Sequence, residues 1–304
     1  MKLALKVDVD TYRGTREGVP RLRDVLKGHA AGATFLFSLG ADHTGRAIRR
    51  VFRPGFVSKV TRTSAVEHYG IRTLLYGTLL PGPDIGRSCA DILRGVRDAG
   101  FEVGIHSYDH VLWQDHAGAR DQAWTRAELS KAVARFHEIF GVPPRTHGAA
   151  GWQMNVHAYR LEEEFGFTHA SDVRGTCPFL PVLGGRVGRV PQLPTTLPTL
   201  DELVGRDDLA PSNVHEEVLS RTASLSEHHV FTLHAELEGM MWLPTFERLL
   251  SGWQRQGYDL VSIEELWRSL PSGGLPKHDV VMGEVPGRSG KLAVQGELLP
   301  TEMK

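Results

Sequence analysis

The sequence predicts an α/β chain folded as a (β/α) barrel, on three observations. The chain opens strand–helix–strand, a connection that joins parallel strands. The alternation then recurs as seven or eight strand–helix units over about 270 residues. Aspartates and histidines fall at the C-terminal ends of the predicted strands, the rim at which such barrels carry out chemistry. A doubly wound sheet is the other architecture with this alternation.

Leu3 to Val7 is apolar and ends in Asp8-Val9-Asp10, so the first strand delivers two carboxylates. Glu17 to His29 reads as a helix, with Val19, Leu22, Val25 and Leu26 on one face and Pro20 in its first turn, where a missing N–H is tolerated. Ala33 to Ser38 is the second strand. The pattern then breaks, and Gly40 to Gly86 is a long insert. Its first part, His43 to Val66, carries Arg46, Arg49, Arg50, Arg53, Lys59 and Arg62 and no acid. Asp91 to Asp98 resumes as helix, and Phe101 to Ile105 is a strand running into His106. Ala127 to Phe140 is a helix closed by Gly141, a C-terminal cap. Strand and loop over Arg145 to Gly151 lead to a helix at Val156 to Phe165 and a short strand at Thr168 to Ser171. A helix at Val214 to Leu225 precedes the strand His229 to Leu233, which runs into His234. Phe246 to Gln256 is helix, Tyr258 to Ser262 strand and Glu264 to Leu270 helix. From Pro271 the chain is polar and rich in Gly and Pro. The expected organisation is one catalytic barrel over 1–270, with its insert at 40–86, and a poorly ordered tail over 271–304.

Composition narrows the function. With 41% apolar residues in 304, the chain has the means to form a large core, which excludes a disordered protein. Charge balances at 35 basic against 36 acidic residues, so no general attraction to nucleic acid is expected. Two cysteines, Cys89 and Cys177, make neither a disulfide framework nor a Cys-rich zinc site. The N-terminus is too charged for a signal peptide, and no apolar run is long enough to span a bilayer. A cytoplasmic location is therefore expected. Fifteen histidines stand out.

His106 and His110, four apart, would share one side of a helical turn and there hold one metal. Chance alone yields roughly 0.7 such pairs in this composition, so two hydrogen-bonded loop histidines remain an alternative. Asp8 and Asp10 strengthen the metal reading, since one carboxylate can ligate while the other accepts a proton; a solvated strand end or helix cap is the other reading of an Asp-x-Asp. His234 is placed to protonate a leaving amine, or is a core histidine. Trp152, after Gly148-Ala149-Ala150-Gly151, forms an apolar wall or packs in the core. Arg174, in Asp172-Val173-Arg174-Gly175, holds a phosphate, orients a carboxylate or makes a surface ion pair.

Taken in order, these pieces resemble the polysaccharide deacetylase (NodB-homology) family of metal-dependent amide hydrolases. The resemblance rests on the Asp-x-Asp ending a first strand, the His-Ser-x-x-His after a third and the Leu-His near the last. It implies a deformed (β/α)7 barrel and a divalent metal, zinc first, with cobalt or manganese as alternatives. It also implies Asp10, His106 and His110 as ligands, Asp8 as base and His234 as acid. The run Asp8-Val9-Asp10-Thr11-Tyr12-Arg13-Gly14-Thr15-Arg16-Glu17-Gly18 is similar to the family's deformylase branch. So are Ala149-Ala150-Gly151-Trp152, Ser171-Asp172-Val173-Arg174-Gly175, Leu197-Pro198-Thr199 and His234-Ala235-Glu236.

That branch implies removal of the N-formyl group from 4-deoxy-4-formamido-L-arabinose linked to undecaprenyl phosphate, a step in lipid A modification and cationic-peptide resistance. Arg13, Trp152, Asp172 and Arg174 are then expected at the substrate. An N-acetyl deacetylase of another glycan and a non-catalytic sugar-lipid binding module are the alternatives. The family usually supplies an arginine that steers the base; Gly148 to Trp152 has none here, and Arg174 is the expected substitute. A lipid-linked substrate implies a peripheral position on the cytoplasmic face of the inner membrane. The insert's six cations, with Ile48, Val51, Phe52, Phe56, Val57 and Val60, are expected to dock on an anionic membrane surface and on the substrate phosphate. Pro54 divides that insert into two helical pieces, and Leu74-Leu75-Tyr76 and Leu79-Leu80 extend its apolar surface. A solvated basic helix pair packed on the barrel is the other reading.

Overall fold

A computed structural model describes residues 1–47, 70–224, 226–271 and 274–300. Its strands, in chain order, are β1 (Lys2–Val9), β2 (Thr34–Ser38), β3 (Glu102–Ser107), β4 (Thr146–His147), β5 (His169–Ala170), β6 (Leu180–Leu183), β7 (Arg186–Val187), β8 (His229–His234), β9 (Asp259–Val261), β10 (Lys277–Glu284) and β11 (Lys291–Leu298). β1 pairs in parallel with β2 and β8, and its first residues pair with β9. Paired on both edges and covered on both faces, β1 reads as a nearly unbroken apolar run. The parallel order is β5-β4-β3-β2-β1-β8, which bears out the barrel expectation. Between β5 and β8 the wall is irregular. Leu193 N–H donates to Ala170 O at 2.8 Å and Thr196 N–H to Val230 O at 3.1 Å, so the segment 191–197 bridges the gap.

The main core joins Leu3, Leu5, Val7 and Val9 of β1 to Phe35 and Phe37 of β2, Phe231 of β8 and Trp253 of the helix Leu243–Arg255. The first predicted helix departs from its expected form. A π-helical turn, Gly14–Gly18, comes first and the α-helix is Val19–Gly28. The helix expected from Ala127 begins at Gln122, because the Asp121 side chain accepts from Trp124 N–H at 2.9 Å and caps it; it ends at Gly141, whose φ of 72° makes the expected left-handed cap.

The segment read as a poorly ordered tail is instead a β-hairpin. β10 and β11 pair antiparallel, and β10 pairs in parallel with β6 in a second sheet ordered β11-β10-β6-β7. Only Leu292 and Ala293 of the hairpin are buried, so its hydrophobic signal is weak, and Pro286, Gly287 and Gly290, among the Gly and Pro residues that suggested disorder, lie in its turn.

The insert's ends meet beside the barrel. Ala41 and Asp84 form an isolated bridge, and Arg46 Nε donates to Gly77 O at 3.1 Å. Arg49, Arg50, Arg53, Lys59 and Arg62, the six apolar residues from Ile48 to Val60 and the two helical pieces around Pro54 lie outside the described residues. Of the flanking apolar residues, Leu79 and Leu80 are exposed, as is Ile71, whereas Tyr76 is buried.

Candidate metal centre

β1 ends at Val9, so Asp8 is the last inward carboxylate of the strand and Asp10 the first residue beyond it. His106 lies in β3 and His110 opens the helix His110–His116, capped by the Asp109 side chain, which accepts from Leu112 N–H at 3.0 Å. The two histidines thus meet across a strand-to-helix turn, not along one helix as the spacing suggested, with ring centroids 5.3 Å apart. His106 Nε2 is 3.2 Å from Asp10 Oδ1, and His110 Nε2 is 3.4 Å from Asp10 Oδ2. The Nδ1 of His106 lies 2.6 Å from the Gly148 carbonyl, which makes that nitrogen the donor and turns Nε2 toward Asp10.

Burial opposes ionisation of Asp10, yet the imidazoles of His110, His106 and His234 hold its carboxyl well below the usual range. Its Oδ1 is nevertheless buried without a hydrogen-bond partner. One carboxylate and two imidazole nitrogens, all within 4.8 Å of one another, fit a divalent cation. Tetrahedral coordination at about 2.0–2.2 Å spaces neighbouring ligand atoms about 3.4 Å apart, close to the separations here.

Of the other candidates, His234 and Asp8 lie at neighbouring strand ends, and the rest are held elsewhere. His234 ends β8 in register with Asp8, and its Nδ1 is buried and unpartnered. Asp8 is buried, with Oδ1 3.7 Å from His106 Nδ1 and Oδ2 3.4 Å from Lys6 Nζ. Arg174 does not reach Asp8. It pairs with Glu202, donates to the carbonyls of Thr195 and Leu197, and lies over the Trp152 ring at 5.1 Å. Trp152 is not an open wall: it is 3% exposed, with Lys6, Arg174 and Arg288 around its ring. Asp172 is wholly buried, so direct substrate contact is excluded for this conformation. It accepts from Ala149 N–H and from Gln192 Nε2, each at 2.8 Å, and thereby holds the 148–152 loop. Arg13 stays at the surface beside Glu17.

Two groups escaped the sequence reading. Lys6 is one. The other is Glu236, whose Oε1 accepts from Asp10 N–H at 3.1 Å, Thr11 N–H at 2.7 Å and Thr11 Oγ1 at 2.8 Å. Gly14 packs on this carboxylate: a Cβ there would lie 2.0 Å from Glu236 Oε1. Gly18 packs the same way on the Ala235 carbonyl. The glycines of the Arg13-Gly14-Thr15-Arg16-Glu17-Gly18 run are therefore the close-approach points that let the π-helical turn sit on the loop after β8. A signal for both groups existed, since Lys6 interrupts an apolar strand and Glu236 follows His234 by two residues.

A second ligand-like cluster is closed. His147 Nδ1 is 2.8 Å from both Glu162 and Asp172, and all three are wholly buried. An open cleft of about 960 Å³ runs between the helix His110–His116 and the hairpin turn, lined by Gln114, Gln153, Arg288 and Lys291; neither the trio nor Asp8 nor His234 lines it.

The chain belongs to the polysaccharide deacetylase family of amide hydrolases, whose model matches residues 3–170, and the Asp–His–His trio on its barrel rim is a candidate metal-binding group. That fold generally depends on a divalent metal. Among its relatives is a protein of Shewanella sediminis named "Probable 4-deoxy-4-formamido-L-arabinose-phosphoundecaprenol deformylase ArnD", 37% identical over 298 residues, covering 98% of this chain and 96% of the relative. A relative of the same name from Wigglesworthia glossinidia brevipalpis is 29% identical over 290 residues, covering 94% and 99%. A solved structure described as a "putative polysaccharide deacetylase from Mycobacterium smegmatis" shares the fold with a TM-score of 0.58 at 17% identity, covering 90% of this chain and 95% of that one.

Proposed function

We propose that the chain hydrolyses the N-formyl group of 4-deoxy-4-formamido-L-arabinose carried on undecaprenyl phosphate, releasing formate and the free amino sugar lipid. The observation that carries this reading is the full-length similarity to relatives named for that activity, together with the geometry of Asp8, Asp10, His106, His110 and His234.

In this reading Asp10, His106 and His110 hold a divalent ion, zinc first among the candidates because two imidazoles and one carboxylate suit it. Bound there, such an ion would supply Lewis acidity and would lower the pKa of a water. Asp8 takes the proton of that water as its oxygen bonds to the formyl carbon. His234, on the neighbouring strand end, gives a proton to the sugar nitrogen as the C–N bond breaks. Arg13, at the surface near this rim, is the remaining candidate contact for the polar part of the lipid.

The lipid-linked substrate places the protein at the cytoplasmic face of a membrane. No helix among the described residues is long and apolar enough to cross one. The exposed Ile71, Leu79 and Leu80 are one part of a docking face for an anionic surface; the cations of the insert, of which only Arg46 is among the described residues, are its other part by sequence. Flotation with anionic vesicles tests this: binding should fall when Arg46, Arg49, Arg50, Arg53, Lys59 and Arg62 are reversed to Glu.

The reaction is tested by metal analysis of the purified chain combined with formate release from the formamido sugar lipid. About one divalent ion per chain and formate in step with free amine are expected. Acetate release from the acetamido analogue, with none of formate, would make the chain a deacetylase instead.

A further inference from the structure

We propose that Lys6 is the residue that positions the Asp8 carboxylate for proton transfer, an inference that rests on the hydrolytic reading above. Lys6 and Asp8 are two residues apart on β1 and share a face of the strand. The Lys6 side chain is wholly buried, a costly place for an ammonium unless it is partnered. Its Nζ lies 3.4 Å from Asp8 Oδ2, donates to Ser171 O at 3.0 Å and stands 5.3 Å from the centre of the Trp152 ring. Among the described residues, Asp8 is the one carboxylate paired with it.

The room for Lys6 comes from Gly148, where a Cβ would lie 2.8 Å from Lys6 Cε and 3.2 Å from Nζ. Gly148 also supplies the carbonyl that orients His106. A single glycine therefore aligns a metal-binding imidazole and admits the lysine that meets the base.

The two oxygens of Asp8 have different surroundings. Oδ2 is tied to Lys6, whereas Oδ1 is buried without a hydrogen-bond partner. The terminal torsion of an aspartate is broad and nearly two-fold, so an untethered carboxylate rotates between equivalent orientations. Tethering Oδ2 selects one of them and leaves Oδ1 to receive a proton. Ser171, after β5, and Trp152, after β4, hold Lys6, so the orientation of Asp8 is set by three strands' ends and not by its own rotamer.

The test uses the full-length, metal-loaded chain with Lys6→Met, Lys6→Arg, Asp8→Asn and the double variant Lys6→Met/Asp8→Asn, assayed for formate release. Lys6→Met should lower kcat by about 10²-fold with KM and metal content unchanged, and Lys6→Arg should recover part of that loss. In the Asp8→Asn background, Lys6→Met should cost less than twofold more. An unchanged kcat, a change in KM alone, or an equal loss in both backgrounds would overturn the proposal. Nitrogen-15 NMR of the lysine ammonium groups reads the contact without turnover. A buried, slowly exchanging signal should vanish in Lys6→Met and move in Asp8→Asn; a signal indifferent to Asp8→Asn overturns the proposal even if Lys6→Met fails to fold. Should the wild-type chain release no formate, the hydrolytic reading fails while the NMR signal still decides the contact.

Discussion

Asp8 and Asp10 are two residues apart, yet their surroundings assign them different chemistry. Asp10 faces the Nε2 atoms of His106 and His110, and Asp8 faces Lys6 with one oxygen to spare. Asp10→Ala should abolish stoichiometric metal binding, because it removes the carboxylate that links the two imidazoles. Asp8→Asn should keep the metal and lower kcat by about 10²–10⁴-fold, the usual worth of a positioned general base. Metal analysis and formate release on the same preparations check both, and metal loss in Asp8→Asn would mean that this carboxylate is itself a ligand. The Asp–His–His trio was legible in the sequence because spacing on a strand and at a helix start survives in the linear order. The partners of those residues were not. Arg174 looked like the group to orient Asp8, but Glu202 and the carbonyls of the 195–197 segment hold it, and those lie far along the chain.

At the scale of elements, the loop after β8 and the π-helical turn Gly14–Gly18 form one unit, with the Glu236 carboxylate between Asp10, Thr11 and Gly14. Gly14→Ala has no space for its methyl group against that carboxylate. It should destabilise the fold by about 1–3 kcal/mol, read as a lower denaturation midpoint, and weaken metal affinity by shifting Asp10. A variant with wild-type stability and metal affinity would show that Glu236 moves freely. Sequence pattern located the helix that follows this turn, but expected it to begin at Glu17. The π turn arises from contacts with the far end of the chain, and periodicity carries no record of them.

For the whole molecule, the buried cluster of His147, Glu162 and Asp172 links strands, helix and rim. Burial opposes a charge on His147, but Asp172 and Glu162 more than offset it and lift the imidazole to about 10. Burial and repulsion from Asp172 push Glu162 up to about 8. Both groups bind protons more tightly folded than unfolded. Their contributions are fully present below the ordinary values, 6.5 for the imidazole and 4.5 for the carboxyl, and are lost as pH rises through about 8 and then about 10. The melting temperature should therefore fall between pH 7 and pH 10, and fall less in His147→Gln. Equal slopes in the two proteins would remove the cluster from this role. The hairpin belongs to the same scale. Its turn carries Arg288 onto the Trp152 ring, 4.7 Å from the centroid, and its Nε to Glu202 at 2.7 Å, so the last described strands complete the wall behind the rim.

The sequence by itself determined the strand–helix alternation, the parallel barrel and the five side chains around the candidate centre. Those features depend on local periodicity and on residue type at strand ends, both of which are written in order along the chain. Tertiary structure alone decided that Lys6 meets Asp8, that Glu236 holds the turn after Asp10, that Trp152, Asp172 and Arg174 are enclosed, and that the apparent tail is a hairpin. Lys6 and Asp8 are neighbours on β1, but Ser171 and Trp152, which close on Lys6, and the contacts behind the other features come from segments far apart in sequence. Buried charge in particular is tolerated only where a distant partner arrives to neutralise it, and that arrival is a property of the folded molecule.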